Sequence, residues 1–397
     1  MRFVVLGGSS PFTAGLINAM AECSLLSPGE LVLFGRNKHN LDTIFEYATN
    51  KLELVEWKIS ISIDLFEALS GADVVLHQIR YGDLDGRMCD EEFSHQWNLL
   101  SDETLGPSAF HSLISMIPSL KKISTTLAEV CPKAWVLNLT NPLSIVTKLM
   151  IDFGVSRCMG LCELPFTTAC QVAESFNLPI NDVDWSYIGF NHRGFLVKFN
   201  YMEKDYIREY LHNFGSHLTN GIPAETVESM DVIPTKYFRL FFGFNKANKI
   251  NRSGFLTQVR REIITEINQS PNTCPPSLKK RNLDWYSHAV VPMLVALNST
   301  QPRLRVANLL SPDGIVEEYL VKISKSSLKI CKASQNSIFV EHWVNIFKKH
   351  EFALLNAIYS PSLETFTNAV NCDPIIPEEN IDGISKALWD VYQKQNK

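Results

Sequence analysis

The sequence lacks any cluster of lysine and arginine, so nucleic acid is not an expected partner. Its 37 basic and 42 acidic side chains leave a formal net charge of -5. It also lacks any run approaching the roughly 20 apolar residues of a membrane helix, so no membrane partner is expected. The nine cysteines are scattered, at positions such as Cys23, Cys89, Cys131 and Cys372, with no paired spacing. An odd, unpatterned set suits a reducing compartment better than a secreted disulfide framework. The opening M-R-F-V-V-L-G-G carries an apolar run too short for a signal peptide, and no repeat or low-complexity segment stands out. A cytoplasmic globular protein is expected, and 397 residues are enough for two domains.

What is present begins with strand chemistry. Arg2–Leu6 is rich in β-formers and runs into G-G-S-S-P-F-T-A-G at 7–15, after which an amphipathic helix reaches about Ala21. Strand, glycine turn and helix are the layout of a first βαβ unit that binds a dinucleotide, the helix N-terminus facing the pyrophosphate. The turn is not the usual G-x-G-x-x-G, and a plain strand–helix turn reads the same way. A second strand over Glu30–Phe34 ends in Gly35-Arg36-Asn37, where an NAD site often carries Asp or Glu on the ribose. Arg36 could stack on adenine or meet a 2′-phosphate, so NAD and NADP both stay open.

Further strands are expected over Lys58–Ile63 and Ala72–Leu76, and a helix from about Ser112 to Val130. Between them, Q-I-R-Y-G-D-L-D-G-R at 78–87 reads as a loop whose two arginines could fork an anion or pair with Asp90, Glu91 and Glu92. Three apolar runs then each end in a polar signature: N-L-T-N-P at 138–142, M-G-L-C-E-L-P at 159–165 and I-G-F-N-H-R-G at 188–194. Ligands of open α/β sheets sit outside the carboxyl ends of the strands, so the three tips suggest one site. A thiol at Cys162 with an imidazole at His192 suits a borderline divalent metal such as Mn, Fe, Co or Ni.

Taken together and in order, these signatures resemble glycoside hydrolase family 4, the NAD- and metal-dependent glycosidases related to the lactate/malate dehydrogenases. Also matching are E-T-L-G-P at 103–107, V-I-P-T-K-Y at 232–237 and W-Y-S at 285–287. The likeness runs to about residue 320; beyond it only closing helices (Ile338–Tyr359, Ile381–Gln393) are expected. The resemblance implies a Rossmann-type doubly wound parallel sheet over 1–195 and a mixed α/β substrate and oligomerisation half over 196–397. It implies Cys162 and His192 as metal ligands, with manganese the first choice. Tyr237 would be the base that removes the proton from sugar carbon 2. Asn141, Asn191, Arg87 and Arg281 would contact the substrate, Arg87 where phosphate-binding groups gather. Gly7, Gly8, Ser9, Ser10, Thr13, Arg36 and Asn138 would line the cofactor. The family's chemistry oxidises carbon 3, eliminates the aglycone, adds water and returns the hydride, so it departs from the two-carboxylate scheme of most glycosidases. A dimer or tetramer is expected by analogy alone.

The chain departs from the pattern at Glu163, which follows the metal cysteine where Asn, Asp or His is usual; a general-acid role is assigned to it. Arg193 adds a bulky charge beside His192, and Asn282-Leu283-Asp284 stand where a glycine pair is usual. These changes leave two alternatives. One is a dehydrogenase or epimerase of a sugar or hydroxy acid on the same scaffold, and the other is a nucleotide-binding pseudoenzyme or sensor.

Overall fold

A computed structural model describes residues 1–243, 252–333 and 337–396. Thirteen strands occur among them: β1 (Arg2–Leu6), β2 (Glu30–Phe34), β3 (Lys58–Ser62), β4 (Val74–His77), β5 (Trp135–Asn138), β6 (Cys158–Gly160), β7 (Asp184–Phe190), β8 (Arg193–Tyr201), β9 (Lys204–Asp205), β10 (Ile233–Pro234), β11 (Arg303–Leu310), β12 (Val316–Ile323) and β13 (Leu328–Cys331). The main sheet has nine strands in the order β13-β12-β11-β6-β5-β4-β1-β2-β3. Its six N-terminal strands pair in parallel. Their order, 3-2-1-4-5-6, is that of a dinucleotide-binding sheet with its switch point between β1 and β4.

Side-chain alternation explains why β1 sits at the centre. Phe3 and Val5 enter one apolar cluster, Val4 and Leu6 the other. Both faces of the strand are therefore covered by helices, as a parallel sheet requires. Burying each such side chain contributes about 1.5–3 kcal/mol. The helix Thr13–Glu22 follows the glycine turn, and Gly7 takes φ +93, a conformation that favours glycine.

The last three strands of the C-terminal half do not form a separate layer. β11 joins β6 antiparallel at Asn308 and Gly160, and β12 and β13 extend the same sheet. β7, β8 and β10 form a second sheet, with β9 on β8. A line between halves at residue 195 falls inside β8. No helix among the described residues is long and apolar enough to cross a membrane.

Some expected elements change. The helix expected from Ser112 begins at Gly106, six residues earlier, with proline in its first turn, a position where the missing N–H costs nothing. The stretch expected as a loop through Arg87 is helical from Asp83 to His95. Gly82, at φ 73, starts that helix, and Asp83 and Asp85 in its first turn complement the positive end of its dipole. A further helix, Leu363–Cys372, lies between the two closing helices and carries a capping box at Ser362 and Thr365.

Candidate active site

The tips of β5, β6 and the β7–β8 hairpin meet, as the three polar signatures suggest. Phe190 pairs with Arg193, leaving Asn191 and His192 as a two-residue hairpin turn. His192 takes φ +64 there, a strained conformation that costs on the order of 1–3 kcal/mol and is retained only when neighbours hold it. Those neighbours are present. Thr104 Oγ1 lies 3.0 Å from His192 Nδ1, and Thr235 Oγ1 donates to the His192 carbonyl at 3.0 Å. The Tyr237 ring stacks on the imidazole with centroids 4.3 Å apart and planes 6° from parallel. Burial lowers the His192 pKa to about 4, so the ring is neutral at pH 7. With Nδ1 donating to Thr104, Nε2 carries the lone pair that a cation needs.

Cys162 follows β6 and is buried in a small cluster with Leu143 and Leu164, against which Tyr237 packs. Tyr237 thus stacks on one presumed ligand and packs against the cluster that holds the other. Leu164 N–H donates to Cys162 Sγ at 3.5 Å, and Glu163 Oε2 lies 3.9 Å from the sulfur. Burial, with Glu163 and Glu318 nearby, pushes the thiol well above its ordinary range. Burial raises the Glu163 carboxyl too, partly offset by Lys236. Tyr237 is also pushed up, first by burial and then by Asp102, Cys162 and Glu163.

The donor set fits a borderline cation. The side-chain oxygen of Asn191 is buried without a partner, and thiolate, imidazole and amide oxygen suit Mn, Fe, Co or Ni. Among the described residues no group of three or more His, Cys, Asp and Glu gathers to hold an ion. Cys162 and His192 alone would leave the other positions of such a cation to further oxygens.

At the cofactor end, the amides of Gly7 and Gly8 both donate to the Phe34 carbonyl, at 3.1 and 2.7 Å. The turn is thereby drawn against the end of β2. A Cβ on Gly35 would lie 2.4 Å from Ser9 Oγ, so only glycine permits this approach. Ser10 closes the turn, its N–H donating to the Gly7 carbonyl at 3.0 Å. The Thr13 hydroxyl accepts from Gln78 Nε2 at 3.0 Å, and Gln78 Oε1 accepts from Tyr286 at 2.8 Å. Thr13 therefore braces the turn from below.

Two assigned residues have their polar groups committed inside the protein. Asn138 is fully buried. Its Oδ1 meets His77 Nδ1 at 2.8 Å and accepts Thr140 N–H at 2.9 Å, while Nδ2 donates to Thr147 Oγ1 at 3.1 Å. It fixes the turn that presents Asn141, and does so in place of lining a cofactor. Arg87 is buried and paired with Glu91 at 2.6 Å and with Glu103. Glu91, four residues on, and Glu103 take up the charge expected for a phosphate.

Arg281 is different. It lies over Phe12 of the glycine turn (4.4 Å) and over Trp285 (5.0 Å), and it forms no ion pair among the described residues. Arg252, Arg80 and Arg260 add positive charge around it, and burial is the main cause that lowers its pKa to about 10. Asn141 is half-buried at the β5 tip.

Other residues gain a place at the site that the sequence reading does not give them. Thr104 and Thr235 lie within matched motifs, but nothing in a motif says which residue touches His192. Asp102 accepts the N–H groups of Thr104 and Leu105, at 2.8 and 3.1 Å. Behind Cys162, Asn308 Nδ2 donates to Glu318 at 2.8 Å. Arg193 is 1% exposed and pairs with Glu351 and, at 3.1 Å, with His350 Nδ1. Glu351 also accepts from Ser144 at 2.8 Å. His350 Nε2 lies 3.5 Å from Asp373, which accepts Gly106 N–H at 2.9 Å. The ring of contacts returns through Thr104 to His192, so the closing helices underpin the site.

The strand order and the glycine turn beside its switch point define a dinucleotide-binding α/β fold of the lactate and malate dehydrogenase type. Lactate dehydrogenase from Eimeria maxima superposes with TM-score 0.56 at 12% identity, over 90% of this chain and 95% of that one. Within that class the resemblance to the family 4 glycosyl hydrolases is borne out, since the model of that family matches residues 3–178. A probable 6-phospho-beta-glucosidase of Bacillus subtilis is 22% identical, covering 100% of this chain and 96% of its own. The 6-phospho-beta glucosidase of Thermotoga maritima, solved with manganese, NAD+ and glucose-6-phosphate, superposes with TM-score 0.87 at 19% identity, over 99% of this chain and 98% of that one.

Proposed function

We propose that the protein is an NAD(P)- and divalent-metal-dependent glycosidase acting on a 6-phosphorylated or otherwise anionic glycoside. The observation that carries this reading is Tyr237, stacked on His192 and packed against the small cluster that contains Cys162. The fold and the family resemblance support it. When bound, the nicotinamide takes and returns the hydride at sugar carbon 3, and the cation polarises the carbonyl formed there.

The chain's own residues do the rest. Cys162 and His192 hold the cation, the latter oriented by Thr104. Tyr237 stands within reach of the same position and removes the proton from carbon 2. Burial pushes its phenol up, and positive charge beside it would favour the tyrosinate form. Glu163, whose carboxyl is raised by burial, holds a proton for the departing aglycone. Asn141 and Asn191 contact sugar hydroxyls. Arg281 forms no ion pair among the described residues and has the charge of Arg252 nearby, which favours an anionic ligand.

The test is a panel of nitrophenyl 6-phosphoglycosides and free glycosides with Mn²⁺ and either dinucleotide, following nitrophenol and reduced cofactor together. Nitrophenol release that needs both cofactor and metal, with no accumulation of reduced cofactor, is expected. Steady accumulation of reduced cofactor with a free sugar or hydroxy acid would instead establish a dehydrogenase.

A further inference from the structure

We infer that the adenosine end of the cofactor site selects a 2′-phosphorylated dinucleotide, NADP+, and that Arg36 is the residue that selects it. This rests on the dinucleotide reading above. A site for NAD needs an acceptor, usually a carboxylate, for the free ribose hydroxyls at the end of the second strand. No acidic residue occurs from Phe34 to Leu41. The first acid beyond, Asp42, is paired with Lys38. The side-chain oxygen of Asn37 is taken by the Asn40 N–H at 3.0 Å.

The carboxylates of the neighbouring strand end each hold a local hydrogen bond. Asp64 Oδ1 accepts the Glu67 N–H at 2.8 Å, and Glu67 accepts from Ser62 Oγ at 2.6 Å. Arg36, by contrast, is exposed and forms no ion pair among the described residues.

The backbone places Arg36 where a ribose substituent would lie. Gly7 and Gly8 are hydrogen-bonded to Phe34, and Ser9 rests on Gly35. The arginine is thus the first side chain past the contact between the glycine turn and β2. A guanidinium there offers a forked pair of donors to a phosphate, whereas an unmodified ribose gives it only neutral hydroxyl oxygens, with no charge to pair. The same position that offers NAD no carboxylate supplies NADP with a cation.

The experiment is calorimetric titration of the full chain with NAD+ and NADP+, without substrate, repeated with the Arg36→Ala and Arg36→Asp variants. Melting temperatures would be recorded to show that all three proteins are folded. NADP+ is expected to bind at least tenfold more tightly than NAD+. Arg36→Ala should collapse that ratio toward one, and Arg36→Asp should reverse it. Adenosine 2′,5′-bisphosphate should compete with NADP+ far better than AMP does. NAD+ binding as tightly as NADP+, or a preference untouched by Arg36→Ala, would overturn the inference while leaving the dinucleotide reading in place. Binding of neither dinucleotide to the folded protein would overturn both.

Discussion

Thr104 Oγ1 sits 3.0 Å from His192 Nδ1, a contact between residues 88 positions apart in the chain. It ties the start of the long helix Gly106–Val130 to the β7–β8 turn, and it sets which imidazole nitrogen is free. Thr104→Val keeps the shape and removes the hydroxyl. Loss of such a partner to a metal-binding histidine typically lowers metal affinity about 10–100-fold. Mn²⁺ affinity measured by calorimetry should fall by that order, while the far-ultraviolet circular dichroism stays unchanged.

Cation binding should release a proton from Cys162 and none from His192. The thiol is held neutral by burial and by Glu163 and Glu318, whereas burial has already lowered the imidazole pKa to about 4. Titrating Mn²⁺ in buffers of different ionisation enthalpy near pH 7.5 should therefore report about one proton released per ion. Cys162→Ser should abolish the release.

The buried pair of Arg193 and Glu351 is strong only as a pair. Removing one partner from such a pair costs about 3–5 kcal/mol, because the remaining charge is left in an apolar surrounding. Glu351→Gln should lower the urea midpoint accordingly. Replacing both residues, Arg193→Met with Glu351→Leu, should recover much of the stability. It should not recover Mn²⁺ affinity if the ring of contacts through Asp373 and Gly106 holds His192 in place.

Glu318 gives the fold a pH dependence of defined sign. Burial raises its pKa from the ordinary 4.5 to about 8, so between those values the folded state binds more protons than the unfolded one. Its contribution to stability is therefore at its best below about pH 4.5, declines as pH rises, and levels off above about pH 8. Glu318→Gln removes the titration, and the partnerless oxygens of Asn191 and Asn308 are acceptors available nearby. The variant should gain on the order of a few kcal/mol over the wild type at pH 8 and progressively less toward pH 5, as measured by urea unfolding across that range.

Much of the fold is legible in the sequence because strand alternation and glycine turns are local. Glu30–Phe34 and Ile338–Tyr359 fall where expected to the residue. The clustering of Cys162, His192 and Tyr237 follows from three motifs at strand tips. What is not legible is partnership across the chain. Arg87 resembles a free anion-binding group until Glu103 is seen beside it, and Asn138 resembles a ligand contact until its amide is traced into the turn. The C-terminal segment carries no readable signal because His350, Glu351 and Asp373 belong to no motif. Only packing brings them beneath Arg193.

The junction of β6 with β11 has a consequence for how the chain is made. β6 ends at Gly160 and its outer neighbour begins at Arg303, so about 140 residues are synthesised before that edge is covered. Until then the nascent N-terminal half presents unpaired backbone groups along a short, wholly buried-type strand, a template for pairing with another chain. A ribosome-bound chain stopped near residue 200 is thus the state most exposed to aggregation and most in need of a chaperone, and His192 acquires its underpinning only once Asp373 has left the exit tunnel.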